Sequence, residues 1–185
     1  SGFIWNNVLE HGLTFRNYGE FVKAVIEPKN TTFTEAYNDF KNGTGKIKIR
    51  AKANLEQLEP YMCPTYIGFP NTVSDAYRAE EFIKELKEFE KKGEFPNFII
   101  MLLPNHHTSG TRPGMQTPQA SVADNDLALG KIVEAISASP FWKETCILVT
   151  EDDPQAGLDH VDGHRTVGLV ISPYTKRGEV VSTYY

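Results

Sequence analysis

Phe98-Ile99-Ile100-Met101-Leu102-Leu103 is an unbroken apolar run, bounded by Pro96 and Pro104. A run of this length suits a strand covered on both faces rather than one half-exposed strand. Two similar runs follow. Cys146-Ile147-Leu148-Val149-Thr150 is the second. Thr166 to Ile171 is the third, stopped by Ser172-Pro173. Between the first two, residues 119–138 carry Leu129, Ile132, Val133 and Ile136 on one side of a helix. Strand, helix, strand in this order predicts a βαβ unit with a parallel sheet and a right-handed crossover. The expected class is therefore α/β, a mainly parallel sheet flanked by helices.

The segments ahead of this unit are less uniform. Residues 75–92 form an amphipathic helix, because Ala79, Phe82, Ile83, Leu86 and Phe89 recur at helical spacing before Gly93 stops it. Residues 3–11 read as a short helix ending at Gly12, with His11 as a C-terminal cap. Leu13 to Phe21 alternates in part and is β-like. Residues 28–75 hold Pro28, Pro60, Pro64 and Pro70 with several Asn and Gly, which predicts loops and short helices. There is no internal repeat, and the chain reads as a single domain over 1–185. It starts and stops as an internal piece of a longer protein would.

Composition narrows the classes. A formal net charge of -5 argues against a general nucleic-acid binder. It leaves phosphorylated substrates open, because a bound cation inverts the local field. Cys63 and Cys146 are too few for a disulfide framework, and Cys146, opening an apolar run, is expected to be a buried small residue. No apolar segment approaches the roughly 20 residues needed to span a membrane.

In open α/β sheets ligands bind beyond the carboxyl ends of the strands. The first strand is followed by Pro104-Asn105-His106-His107-Thr108-Ser109-Gly110, and the second by Glu151-Asp152-Asp153-Pro154-Gln155. Asp159-His160-Val161-Asp162-Gly163-His164-Arg165 precedes the third. Four of the five histidines fall in these loops. Neighbouring strands lie about 5 Å apart, so the loops could converge on one ion. Carboxylates with imidazole suit a divalent metal, and a cation would relieve the repulsion among three adjacent acids. The competing reading of Asp152 and Asp153 is a solvated acidic turn or a helix N-terminus. For His106 and His107 it is a pair of loop histidines at a strand end. For Arg165 a bidentate grip on a phosphate oxygen competes with pairing to a nearby Asp. Asn42-Gly43-Thr44-Gly45-Lys46-Ile47 imitates a phosphate loop, but its first Gly is missing and Ile47 stands where Ser or Thr belongs. There is no G-x-S-x-G elbow, C-x-x-C or H-E-x-x-H.

The stretch FPNFIIMLLPNHHTSGTRPGMQTPQASVADNDLALGKIVEAISASPFWKETCILVTEDDPQAGLDHVDGHRTVGLVISPYTKRG resembles the bacterial phosphoesterase family of acid phosphatases and phospholipase C enzymes, within the alkaline phosphatase superfamily. The resemblance covers residues 95–185, and GFIWNNVLEHGLTFRNYGEF more loosely. It implies an alkaline phosphatase-like α/β fold, of which this chain is the C-terminal part. It also implies a metal-dependent hydrolase of phosphomonoesters or phosphodiesters. Asp152, Asp153 and His164 would hold a divalent ion (Zn, Mn, Fe or Ca), and His107, His160 and Arg165 would act on the phosphoryl group. Substrates would be small phosphorylated molecules or phospholipid headgroups, in a periplasmic or secreted protein. The nucleophile would come from a preceding phosphoesterase half, and in some members a β-propeller comes first. Family members read Asn-Asp-His-Thr where this chain has Asn105-His106-His107-Thr108. That departure keeps open a degenerate relative that binds metal or phosphate without turnover. Chemistry of the sulfatase or phosphomutase type stays open as well.

Overall fold

The computed structural model describes residues 2–152 and 166–183. These fall into two compact units, Ser1–Ala135 and Ile136–Tyr185.

The first unit opens with helix α1 (Ile4–Glu10). Asn6 reaches back to accept the Phe3 N–H at 2.9 Å, and His11 Nδ1 meets the Asn7 carbonyl at 2.8 Å. Gly12 leaves the helix at φ +70°, the left-handed step expected of a glycine past a C-terminus. His11 therefore caps as the sequence indicates. Strand β1 (Phe15–Tyr18) pairs in parallel with β4 (Phe98–Met101), Phe15 opposite Phe98 and Tyr18 opposite Met101. On its other edge, Asn17 bridges Met62, and its carbonyl accepts the Cys63 N–H. Trp5, Phe15 and Leu58 make a buried cluster against Val8, Leu9, Leu55, Phe98 and Ile100.

Residues 28–75 hold more regular structure than their prolines suggest. Strands β2 (Val22–Glu27) and β3 (Lys48–Ala53) form an antiparallel ribbon. Helix α2 (Phe33–Asn42) lies between them in sequence. Thr32 and Glu35 close its start as a reciprocal capping box, and Gly43 closes its end at φ +61°. Helix α3 (Asp75–Lys92) begins at Ser74, whose hydroxyl accepts the Tyr77 N–H. It buries Ala76, Ala79, Phe82 and Leu86, close to the face read from spacing. Glu85 fastens α3 to β1 by accepting a bidentate pair of bonds from Arg16 and one from the Tyr18 hydroxyl. Helix α4 (Pro118–Ala138) buries Ser121, Asp124, Ala128, Ile132 and Ile136.

In the second unit, β5 (Ile147–Thr150) pairs with β6 (Gly168–Ile171), Ile147 opposite Ile171. The pair is antiparallel, against the expected mainly parallel sheet, and β5 pairs with β6 while β4 pairs with β1, which corrects the expected βαβ unit of β4, α4 and β5. Antiparallel neighbours can be joined by a loop, whereas parallel ones need a crossover long enough to return the chain to the same end. Nor are these strands covered on both faces: Leu148 is 74% exposed, and Leu169 and Val170 are exposed too. Cys146 is exposed rather than buried. Among the described residues the architecture is mixed α/β with short strands, one pair of them parallel.

Candidate functional site

The carboxyl end of the parallel pair is where the first unit concentrates its buried polarity. After β4 the chain enters a 3-10 helix, Pro104–His107. Asn105, at its centre, has no solvent exposure. Its N–H donates to Asp75 Oδ2 at 3.0 Å. Its side-chain amide donates to the Val73 carbonyl and to Asp124 Oδ2, the latter at 2.8 Å. Asp124, from α4, accepts the first two N–H groups of α3, from Asp75 at 2.6 Å and Ala76 at 3.3 Å. A carboxylate is favoured there because the positive end of the helix dipole and its unpaired donors both face it. Asn125 completes the knot, donating to Asp75 Oδ2 and to the Leu103 carbonyl.

Arg78 closes the underside of this network. It is fully buried and pairs with Asp75 at 2.9 Å. Its remaining donors go to the carbonyls of Ile67, Gly68, Pro70 and Val73. One guanidinium thus fixes the whole 67–73 loop, using the fork of donors that lysine lacks. Burial pushes the Asp75 carboxyl above its usual range, with Asp124 adding to that, while Arg78, Asn125 and the Asn105 N–H pull it back.

That loop and the 3-10 helix together set His107. Phe69 meets the imidazole edge-on, ring centroids 5.6 Å apart. His107 Nδ1 lies 3.1 Å from the Thr108 carbonyl. A carbonyl only accepts, so Nδ1 carries a proton and Nε2 is the nitrogen available to a substrate. Asn71 donates to the same carbonyl at 3.0 Å. Thr108 sits at φ +60°, ψ 176°, a region that costs a non-glycine residue about 1–3 kcal/mol. The imidazole itself is exposed, so its Nε2 can exchange protons with a molecule arriving at this strand end. Asn71 Oδ1 and Asn105 Oδ1, in this loop region, are buried acceptors without a hydrogen-bond partner among the described residues.

Of the other predicted site residues, Asp152 is exposed and lies two residues past the end of β5. Asp153, His160, His164 and Arg165 lie outside the described residues. Glu151, which the sequence leaves without a role, has one: its carboxylate accepts the Val167 N–H at 3.5 Å, just beyond the β5–β6 ladder. Among the described residues no group of three or more His, Cys, Asp or Glu is arranged to hold a metal ion. Recesses in the described surface are lined by Phe3, Asn6 and Glu10 in one case and by Tyr37, Ala76, Glu80 and Leu127 in another. Neither includes His107 or Asp152. The Gly43–Ile47 loop is closed to phosphate. Asp39 accepts the N–H groups of Lys46 and Ile47 and the Thr44 hydroxyl, so a carboxylate already holds the donors an anion would need.

Sequence reasoning missed Asp75, Arg78, Asn105, Asp124, Asn71 and Phe69. A signal existed for Asp124. It falls on the buried stripe of α4, one turn before Ala128, where an unpartnered acid would be costly.

No family model matches the chain, and no solved structure matches it. No described helix is long and apolar enough to cross a membrane. The chain is 21% identical over 131 aligned positions to a protein of Arabidopsis thaliana, non-specific phospholipase C6. The alignment covers 57% of this chain and 25% of that relative. The chain thus spans about a quarter of the length of the curated relative it matches, a distant likeness to a phospholipase C.

Proposed function

We propose that the protein carrying this chain hydrolyses phosphate esters, phosphomonoesters or phosphodiesters, with phospholipid headgroups among its substrates. The observation that carries the reading is the sequence pair Asp152-Asp153, of which Asp152 lies two residues past β5, in a chain with a distant likeness to a phospholipase C. Asp152, Asp153 and His164 are the proposed holders of a divalent ion. Their carboxylate and imidazole donors suit Zn, Mn or Fe. Such an ion, when bound, polarises a phosphoryl oxygen and offsets developing charge.

The chain's own groups take the remaining roles. In its imidazolium form His107 presents Nε2–H as the proton donor to a leaving oxygen, since Nδ1 is engaged with the Thr108 carbonyl. His160 and Arg165 are assigned to the phosphoryl oxygens, Arg165 through its bidentate fork. The nucleophile is assigned to a part of the protein other than this chain. Replacing Asp152 and Asp153 together with Asn, in the protein that carries this chain, should abolish turnover of a chromogenic phosphoester. Wild-type turnover by that variant sinks the assignment. A matched sulfate ester, cleaved faster than the phosphoester, would move the protein to sulfatase chemistry. Binding without turnover is the second reading. His106, standing where the resembled family has Asp, favours it, and it predicts phosphate binding with no release of product.

A further inference from the structure

The β2–β3 ribbon presents two unlike faces. Val22, Ala24 and Ile26 pair across to Ala53, Ala51 and Ile49 on one of them. The other is exposed along its whole length and holds Lys23 opposite Lys52, Val25 opposite Arg50 and Glu27 opposite Lys48. Four basic groups thus share a face with one acid, and Glu27 is engaged with Arg50 at 3.0 Å. This sits in a chain whose net charge is -5, so the positive charge is gathered here against the overall balance. Like charges directly across a strand pair are destabilising. Lys23 and Lys52 form such a pair, and an anion lying over both would relieve it. Glu59, near this end, accepts the Ala53 N–H at 3.1 Å.

The same end of the ribbon carries exposed apolar groups. The Phe21 carbonyl accepts the Asn54 N–H at 2.8 Å, which places Phe21 beside the Lys23–Lys52 end. Phe21 packs edge-on to Phe3 with centroids 5.3 Å apart. Phe3, Phe21 and the adjoining Ile4 are all exposed, Ile4 by 56%. Basic groups beside aromatic and aliphatic side chains suit the boundary between lipid headgroups and acyl chains. A nucleic acid would use the lysines and the rings but has nothing for Ile4.

We infer that the outer face of the β2–β3 ribbon, with Phe3, Ile4 and Phe21, docks the protein on an anionic phospholipid bilayer. The choice of lipid over other polyanions rests in part on the phosphoester reading above; the charge and apolar arrangement do not. Flotation with vesicles tests it, using the protein that carries this chain. Binding should be seen to phosphatidylcholine vesicles containing phosphatidylserine, not to phosphatidylcholine alone, and should fall as salt is raised. Lys23→Gln with Lys52→Gln should weaken binding roughly 30-fold, the weight of two surface-held basic groups. Ile4→Ser should weaken it in a way salt does not mimic. Lys84→Gln with Lys91→Gln removes the same charge from α3 and should leave binding unchanged. Circular dichroism establishes that each variant is folded. Equal loss in both lysine variants, binding to neutral vesicles, or retention on duplex DNA without vesicle binding would overturn the inference. Vesicle binding is read without turnover. A protein that docks but cleaves no phosphoester contradicts the proposed function and leaves the docking surface standing.

Discussion

Asp124 serves as several capping residues at once. It takes two helix N–H groups and the Asn105 amide while nearly buried. Asp124→Ala leaves those donors unpaired in the interior, and urea unfolding should show a loss of about 3 kcal/mol. A loss under about 1 kcal/mol would mean that water replaces the carboxylate. Arg78→Lys is the second residue-scale test. Lysine keeps the charge but lacks the planar fork that reaches Ile67, Gly68, Pro70 and Val73 together. The variant should unfold at lower temperature, and hydrogen exchange should rise across 67–73 before it rises in α3. Little of this was legible in the sequence. Ser74 announces a helix start by its type alone. The convergence of Asp75, Asn105 and Asp124 depends on sequence separations of 19 to 49 residues, which no local pattern encodes.

At the scale of elements, local signals were good where one element decides its own fate. Helices α3 and α4 follow from spacing, and the ends of α1 and α3 from Gly12 and Gly93. Two elements in 28–75 had equally local signals that the prolines obscured. Thr32 with Glu35 three residues on is a capping-box pattern, and Lys48 to Ala53 alternates charged with apolar at period two. Strand partners were another matter, because pairing is a tertiary choice: β4 joins β1, more than eighty residues earlier, and β5 joins β6 in antiparallel. The α2–β3 connection gives a pH prediction. The Thr44 hydroxyl holds the Asp39 carboxyl below its ordinary 3.8 against the opposing effect of burial, with the Lys46 and Ile47 N–H groups and Lys48 adding to the lowering. A lowered folded-state value means the unfolded chain takes up its proton first as pH falls. Asp39 therefore contributes stability that is present above about pH 3.8 and is lost below it. Asp39→Asn should flatten that part of the acid unfolding curve. A curve of unchanged slope would show that the loop is held by other groups.

Across the whole molecule, the order of helices and strands was readable from α3 to β6, and the polar loop after β4 falls where the sequence puts it; residues 153–165, with most of the other two loops, lie outside the described residues. His107 lies where that reasoning put it, at the end of β4 and held by Phe69 and Thr108. Asp152 lies two residues past β5. The surface charge carries a second message that a net value conceals, because a chain of -5 gathers Lys23, Lys48, Arg50 and Lys52 on one ribbon face. The central claim is a divalent ion at Asp152, Asp153 and His164. Anomalous diffraction from crystals of the protein that carries this chain, grown with Zn or Mn, reports the ion and its ligands independently of activity. The account predicts an anomalous peak within coordination range of Asp152 or Asp153, close to about 2.0–2.2 Å for a Zn–carboxylate contact. Occupied metal elsewhere, with none at these two carboxylates, would contradict it.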